Sequence, residues 1–160
     1  MRDRLRQFRE AGREPSSEDF ELGRQRLTPE LFALFCAQHP RDVVHSAATA
    51  RWLLNRGHGD VDLITAALLH DIGKGQQRRT DRAAYVIAAR FHLASRVASA
   101  GAPTEVQRAM ARTLDHSRVG AETLAAHGAS ERTVNLTLLH HSSPATDPVL
   151  ALLQQADAAN

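Results

Sequence analysis

An almost wholly apolar stretch, Leu63-Ile64-Thr65-Ala66-Ala67-Leu68-Leu69, runs directly into His70-Asp71-Ile72-Gly73-Lys74. Asp60 upstream suits a helix N-cap, so the stretch reads as the most hydrophobic helix of the chain, with an imidazole and a carboxylate planted at its end. His70 continues the face of Leu63 and Ala66/Ala67 at helical spacing. An unpaired ionised group in an apolar interior costs several kcal/mol, so this pair requires a partner.

The remaining chain carries the same helical punctuation. Alanine and leucine are abundant, β-branched and aromatic residues are sparse, and no period-2 pattern stands out. The expected fold is all-α: a single compact bundle of six or seven helices. Thr28-Pro29-Glu30 starts a short helix through Cys36, stopped before Pro40. A second helix is expected over about 41–55, ending at Gly57, and the third follows Asp60. Thr80 and Asp81 open a fourth helix to about Ser99, and Pro103 opens a fifth region to Ala126 with a break near Asp115. Ser130 caps a helix through His141, Ser143-Pro144 ends it, and Asp147-Pro148 starts the last. Residues 1–27 read as a charged, solvated arm with one short helix around Leu5 and Phe8; residues 28–160 form the helical domain.

Composition removes several classes. A length of 160 residues suits one domain. The lone cysteine, Cys36, excludes an internal disulfide, a thiolate zinc finger and an iron–sulfur cluster, so a transition metal must be held by imidazole and carboxylate. The N-terminus alternates charges where a signal peptide needs an apolar core, and no apolar run reaches membrane-spanning length; a cytoplasmic protein without membrane association is expected. A net charge of +2 with no basic stripe makes nucleic-acid binding a poor expectation. Lys74 is the single lysine among 20 basic residues.

Other ionisable residues share the anomaly of His70. Asp157 lies on the side of Leu150 and Leu153, His45 sits beside Val44 and one turn before Ala48 and Thr49, and His116 precedes Gly120 by one turn. His140-His141 ends a helix of Val134, Leu136, Leu138 and Leu139. A lone helical histidine is commonly a satisfied core or capping group. Five histidines and two aspartates from five helices are accounted for more economically by a shared metal centre. Imidazole with carboxylate suits iron, manganese, zinc, cobalt or nickel, of which iron or manganese is the expectation here, and the ligand count exceeds the need of one tetrahedral ion, pointing to two. His39, His58, His92 and His127 read as structural or surface groups.

In order, His45, His70-Asp71-Ile72-Gly73-Lys74, His116, His140-His141 and Ala156-Asp157 resemble the HD-domain superfamily of metal-dependent phosphohydrolases, in its HDIG branch, over roughly residues 29–160. The resemblance implies a first metal on His45, His70, Asp71 and Asp157. Asp71 would bridge to a second on His116, His140 and His141, with His140 favoured, because adjacent helical residues point about 100° apart. It also implies hydrolysis of a phosphate ester, of a nucleotide or another small phosphorylated substrate, by a metal-activated hydroxide, with Asp71 and Lys74 catalytic and Lys74 on phosphate. Arg78, Arg79 and Arg82 could bind further phosphates. The HD-GYP subfamily's Glu and Asp-Gly-x-Gly-Tyr-Pro loop are replaced by Ser142-Ser143-Pro144, so the resemblance does not extend to that subfamily; Ser117 replaces a frequent proline. The same scaffold with a similar set of four histidines and two aspartates occurs in related di-iron oxygenases, and some relatives are non-catalytic signalling domains; both stand as alternatives.

Overall fold

A computed structural model describes residues 14–75, 105–145 and 147–160. Among these, seven α-helices form and no strand: α1 Ser17–Arg26, α2 Pro29–Ala37, α3 Pro40–Leu54, α4 Val61–Leu69, α5 Glu105–Ala126, α6 Glu131–Leu139 and α7 Pro148–Ala158. A 3₁₀ turn, Ile72–Lys74, follows α4. The helix expected between Thr80 and Ser99, with Arg78, Arg79, Arg82 and His92, lies outside the described residues, as do Leu5 and Phe8.

Helix starts follow from capping chemistry. Side-chain oxygens of Thr28, Asp60, Ser130 and Asp147 accept N–H groups of the first turns of α2, α4, α6 and α7. His39 does the same for α3 through Nδ1, with Pro40 at the first helical position, so its role is structural. Gly57 and Gly128, at φ 81° and 78°, reverse the chain after α3 and α5.

Every residue from Leu63 to Leu69 is buried, because α4 packs against α1, α2, α3, α6 and α7. The core around it gathers Phe35, Val43, Ala47, Ala50, Leu53, Leu124, Leu136, Leu150 and Leu153. Burial all round α4 leaves its C-terminal end as the place where polar groups from other helices converge. There α5 packs against the 3₁₀ turn and α6.

Three expectations change. Residues 14–27 are not a solvated arm: α1 starts with a capping box between Ser16 and Asp19, and Phe20 meets Phe35 edge to face. Asp19 is fully buried and accepts a 2.6 Å hydrogen bond from Arg51 of α3. No break occurs near Asp115, since α5 is continuous there and Arg118 pairs with the exposed Asp115 one turn on. The helix expected to run through His141 stops at Leu139.

Burial pushes the Asp19 carboxyl up, but the Ser16 N–H and the Arg51 guanidinium pull it lower still, below the ordinary aspartate range. A depressed native pKa contributes stability above the unfolded value of about 3.9 and loses it as pH falls through the native value. Asp19→Ala, which removes the charge-assisted hydrogen bonds to Arg51 and Ser16, should cost about 2 kcal/mol at pH 7, with the gap from wild type narrowing only below about pH 4. Urea denaturation at pH 7 and pH 3.5 checks this; an equal gap at both values would contradict the charged pairing.

Candidate metal centre

The end of α4 sets the centre. His70 is its C-cap, Asp71 follows at φ −96°, ψ 3°, and the 3₁₀ turn lifts the chain toward α5. Gly73 makes that approach possible: a Cβ there would lie 2.0 Å from the His116 carbonyl oxygen and 2.6 Å from the Gly120 nitrogen. Asp71 is thereby brought against His116. On the other side, α3 supplies His45 and α7 supplies Asp157.

Two groups of side chains result. His45, His70 and Asp71 have potential ligand atoms all within 4.8 Å of one another, as do His116, His140 and His141. Asp157 Oδ1 joins the first group, 2.9 Å from His45 Nε2 and 3.4 Å from His70 Nε2. In the second, His116 Nε2 stands 3.2 Å from the Nε2 atoms of both His140 and His141. Asp71 lies between the groups. Its Oδ2 is 3.6 Å from His70 Nε2 and accepts from Lys74 Nζ, whereas Oδ1 is 3.4 Å from His116 Nε2 and 3.9 Å from His140 Nε2.

Hydrogen bonding fixes how two of the imidazoles are presented. His70 Nδ1 donates to the Ala67 carbonyl at 3.1 Å and His140 Nδ1 to the Thr137 carbonyl at 2.6 Å. A carbonyl only accepts, so both protons sit on Nδ1, and in the neutral ring Nε2 carries a lone pair facing inward. Each bond reaches three residues back to a carbonyl in the last turn of a helix, which is free because the histidine is the C-cap.

The donor set fits a cation. His70 Nε2 and Asp71 Oδ1 are buried with no hydrogen-bond partner, a costly arrangement that a bound ion relieves. Two nitrogens on one ion at about 2.0–2.1 Å stand roughly 3.0–3.4 Å apart, depending on the ligand angle. The His116 pairs, at 3.2 Å, fall in that range.

Electrostatics agrees. Burial opposes charge on Asp71 and Asp157, yet the surrounding histidines outweigh it and hold both carboxyls well below the ordinary range. Burial also opposes charge on His70, but Asp71 and Asp157 raise its pKa; two inward carboxylates thus call for positive charge between them. His140 is pushed the other way, by burial and by His70, to about 3, so it is neutral at pH 7.

The structure brings together His45, His70, Asp71, Lys74, His116, His140, His141 and Asp157; Arg78 and Arg79 lie outside the described residues. The single choice of His140 over His141 is not required. With α6 ending at Leu139, the two leave the regular helix and both Nε2 atoms reach His116. Lys74 holds Asp71 rather than projecting alone, and its side chain is 24% exposed. His127 bonds the Thr123 carbonyl at the end of α5, a structural role. The carbonyls of Ala67 and Thr137, and the Gln154 amide on the Ser142 carbonyl, were not expected from sequence; the signal was the position of each group one helical turn from a ligand candidate.

Among the described residues no helix is long and apolar enough to cross a membrane. Neither a curated protein nor a solved structure matches the chain. A family model, HD domain, matches residues 36–159, spanning all eight of these side chains, from His45 to Asp157. With that match over most of its length, the chain belongs to the HD-domain family.

Proposed function

We propose that this chain is a metal-dependent phosphohydrolase of the HDIG branch, acting on a small phosphate ester such as a nucleotide at a dinuclear centre. The observation that carries it is the Asp71 carboxylate, whose two oxygens face different groups of histidines. One ion would be held by His45, His70, Asp71 and Asp157, the other by Asp71, His116, His140 and His141. Iron or manganese suits this mixture of imidazole and carboxylate, with zinc, cobalt or nickel as alternatives. Divalent ions there would supply Lewis-acid stabilisation of phosphoryl oxygens and activation of water.

The chain's own groups do the rest. The Ala67 and Thr137 carbonyls keep the His70 and His140 rings aimed inward, and neutral His140 needs to lose no proton to act as a donor. Lys74 places a compact cation beside Asp71, where it can hold a non-bridging phosphate oxygen. Arg78 and Arg79, a few residues on in sequence, would take further phosphates. Ser142-Ser143-Pro144 after the paired histidines argues against the HD-GYP subfamily and its cyclic dinucleotide.

The test is metal analysis by mass spectrometry joined to phosphate-release assays on monoesters, diesters, nucleotides and cyclic dinucleotides, with and without oxygen. Two ions per chain and oxygen-independent hydrolysis, lost in Asp71→Ala, are expected. Less than one ion per chain with no stabilisation by added metal would favour a non-catalytic domain. Product formation that requires oxygen would favour a di-iron oxygenase.

A further inference from the structure

His141 differs from its neighbours in how it is held. The rings of His70 and His140 are aimed by backbone carbonyls on Nδ1, but among the described residues nothing hydrogen-bonds Nδ1 of the exposed His141. Its aim is therefore set by the turn that carries it. Ser142, the next residue, closes that turn: its N–H and its hydroxyl both donate to the Leu139 carbonyl, each at 2.7 Å. The Ser142 carbonyl in turn accepts a 2.7 Å hydrogen bond from the side-chain amide of Gln154. Gln154 lies on α7, three residues before Asp157 and so on the same face.

Packing between α6 and α7 does not do this work alone. A groove of about 740 Å³ runs between them, lined by Asn135, Leu136 and Leu139 on one side and Pro148, Val149 and Leu150 on the other. We propose that Gln154 is a positioning residue, which ties the His140-His141 turn to α7 and keeps His141 aimed at His116 while Asp157, on the same helix, serves the other group. The assignment rests on the metal-dependent reading above.

Cobalt(II) titration of the full chain, followed by its visible d–d bands and by calorimetry, tests it without an activity assay. Wild type should take up two equivalents. Gln154→Met, close in volume and without a donor, should weaken the second equivalent about 10–100-fold and leave the first, with little change in metal-free melting. His141→Ala should show a similar loss, and the double variant no more than His141→Ala alone. Unchanged second-ion affinity, or losses that add, would overturn the positioning role. Should Gln154→Met not fold, Gln154→Glu replaces it. Its added negative charge alone would tighten cation binding, so weakened binding supports the role and unchanged or tighter binding overturns it. Wild type that takes up no cobalt would instead refute the metal centre, and Gln154's role with it.

Discussion

Asp71→Asn should abolish metal-dependent stabilisation, and with it the hydrolysis proposed above, while keeping the side chain's shape. In wild type, an ion at 100 times its dissociation constant adds about 2.7 kcal/mol. At roughly 2–4 °C per kcal/mol for a domain of this size, melting should rise by about 5–11 °C. Asp71 is the carboxylate shared between His70 on one side and His116 and His140 on the other, so its neutralisation weakens both groups at once. The variant should gain less than about 2 °C from the same metal and lose roughly 10³-fold or more in kcat/KM, which is about 4 kcal/mol. Thermal melts with and without chelator, run beside the phosphate-release assay, give both numbers. A variant stabilised by metal as well as wild type would remove Asp71 from the centre; one that hydrolyses at the full rate would remove it from the reaction.

Gly73→Ala is the second large effect, and it acts through the backbone. The added methyl would meet the His116 carbonyl oxygen at 2.0 Å, the Gly120 nitrogen at 2.6 Å and the His116 carbonyl carbon at 2.9 Å. None of these is a side chain that can rotate away, so the 3₁₀ turn and α5 must separate and Asp71 must leave His116. Overpacking in a core costs about 1–3 kcal/mol where side chains can adjust, so the cost here should reach or exceed about 3 kcal/mol. The reciprocal position behaves differently. A Cβ at Gly120 meets its nearest atoms at 3.4 Å, an ordinary contact. Gly120→Ala also gains up to about 1 kcal/mol of helix propensity, so its stability should stay within about 1 kcal/mol of wild type. Urea denaturation of the two variants decides; equal losses would contradict the close approach of Gly73 to α5.

Much of this clustering was legible because its members are conspicuous by type. An imidazole or carboxylate on an apolar stripe stands out against its neighbours, and His70-Asp71 at the end of Leu63–Leu69 stands out most. Helix starts were legible for a related reason, since Thr28, Asp60, Ser130 and Asp147 cap locally and need no distant partner. Residues 14–27 depart from the expectation because charge there does not mean solvation. Asp19 is charged and fully buried, and what permits this is Arg51, 32 positions away in sequence. The Ser16–Asp19 capping box was present as a local signal for α1.

Sequence alone therefore determined an all-helical chain and the identity of the groups that meet, because capping, helical period and side-chain chemistry are local properties. Only the tertiary structure decided how they meet. It set the division of the histidines into two groups with Asp71 between them, since that depends on the close packing of Gly73 against α5. It also decided that His140 and His141 both reach His116, because α6 ends at Leu139 and the turn beyond is tied to α7. A helix end and an interhelical hydrogen bond are settled by the competition between local and distant partners, and the distant ones exist only once the chain has folded.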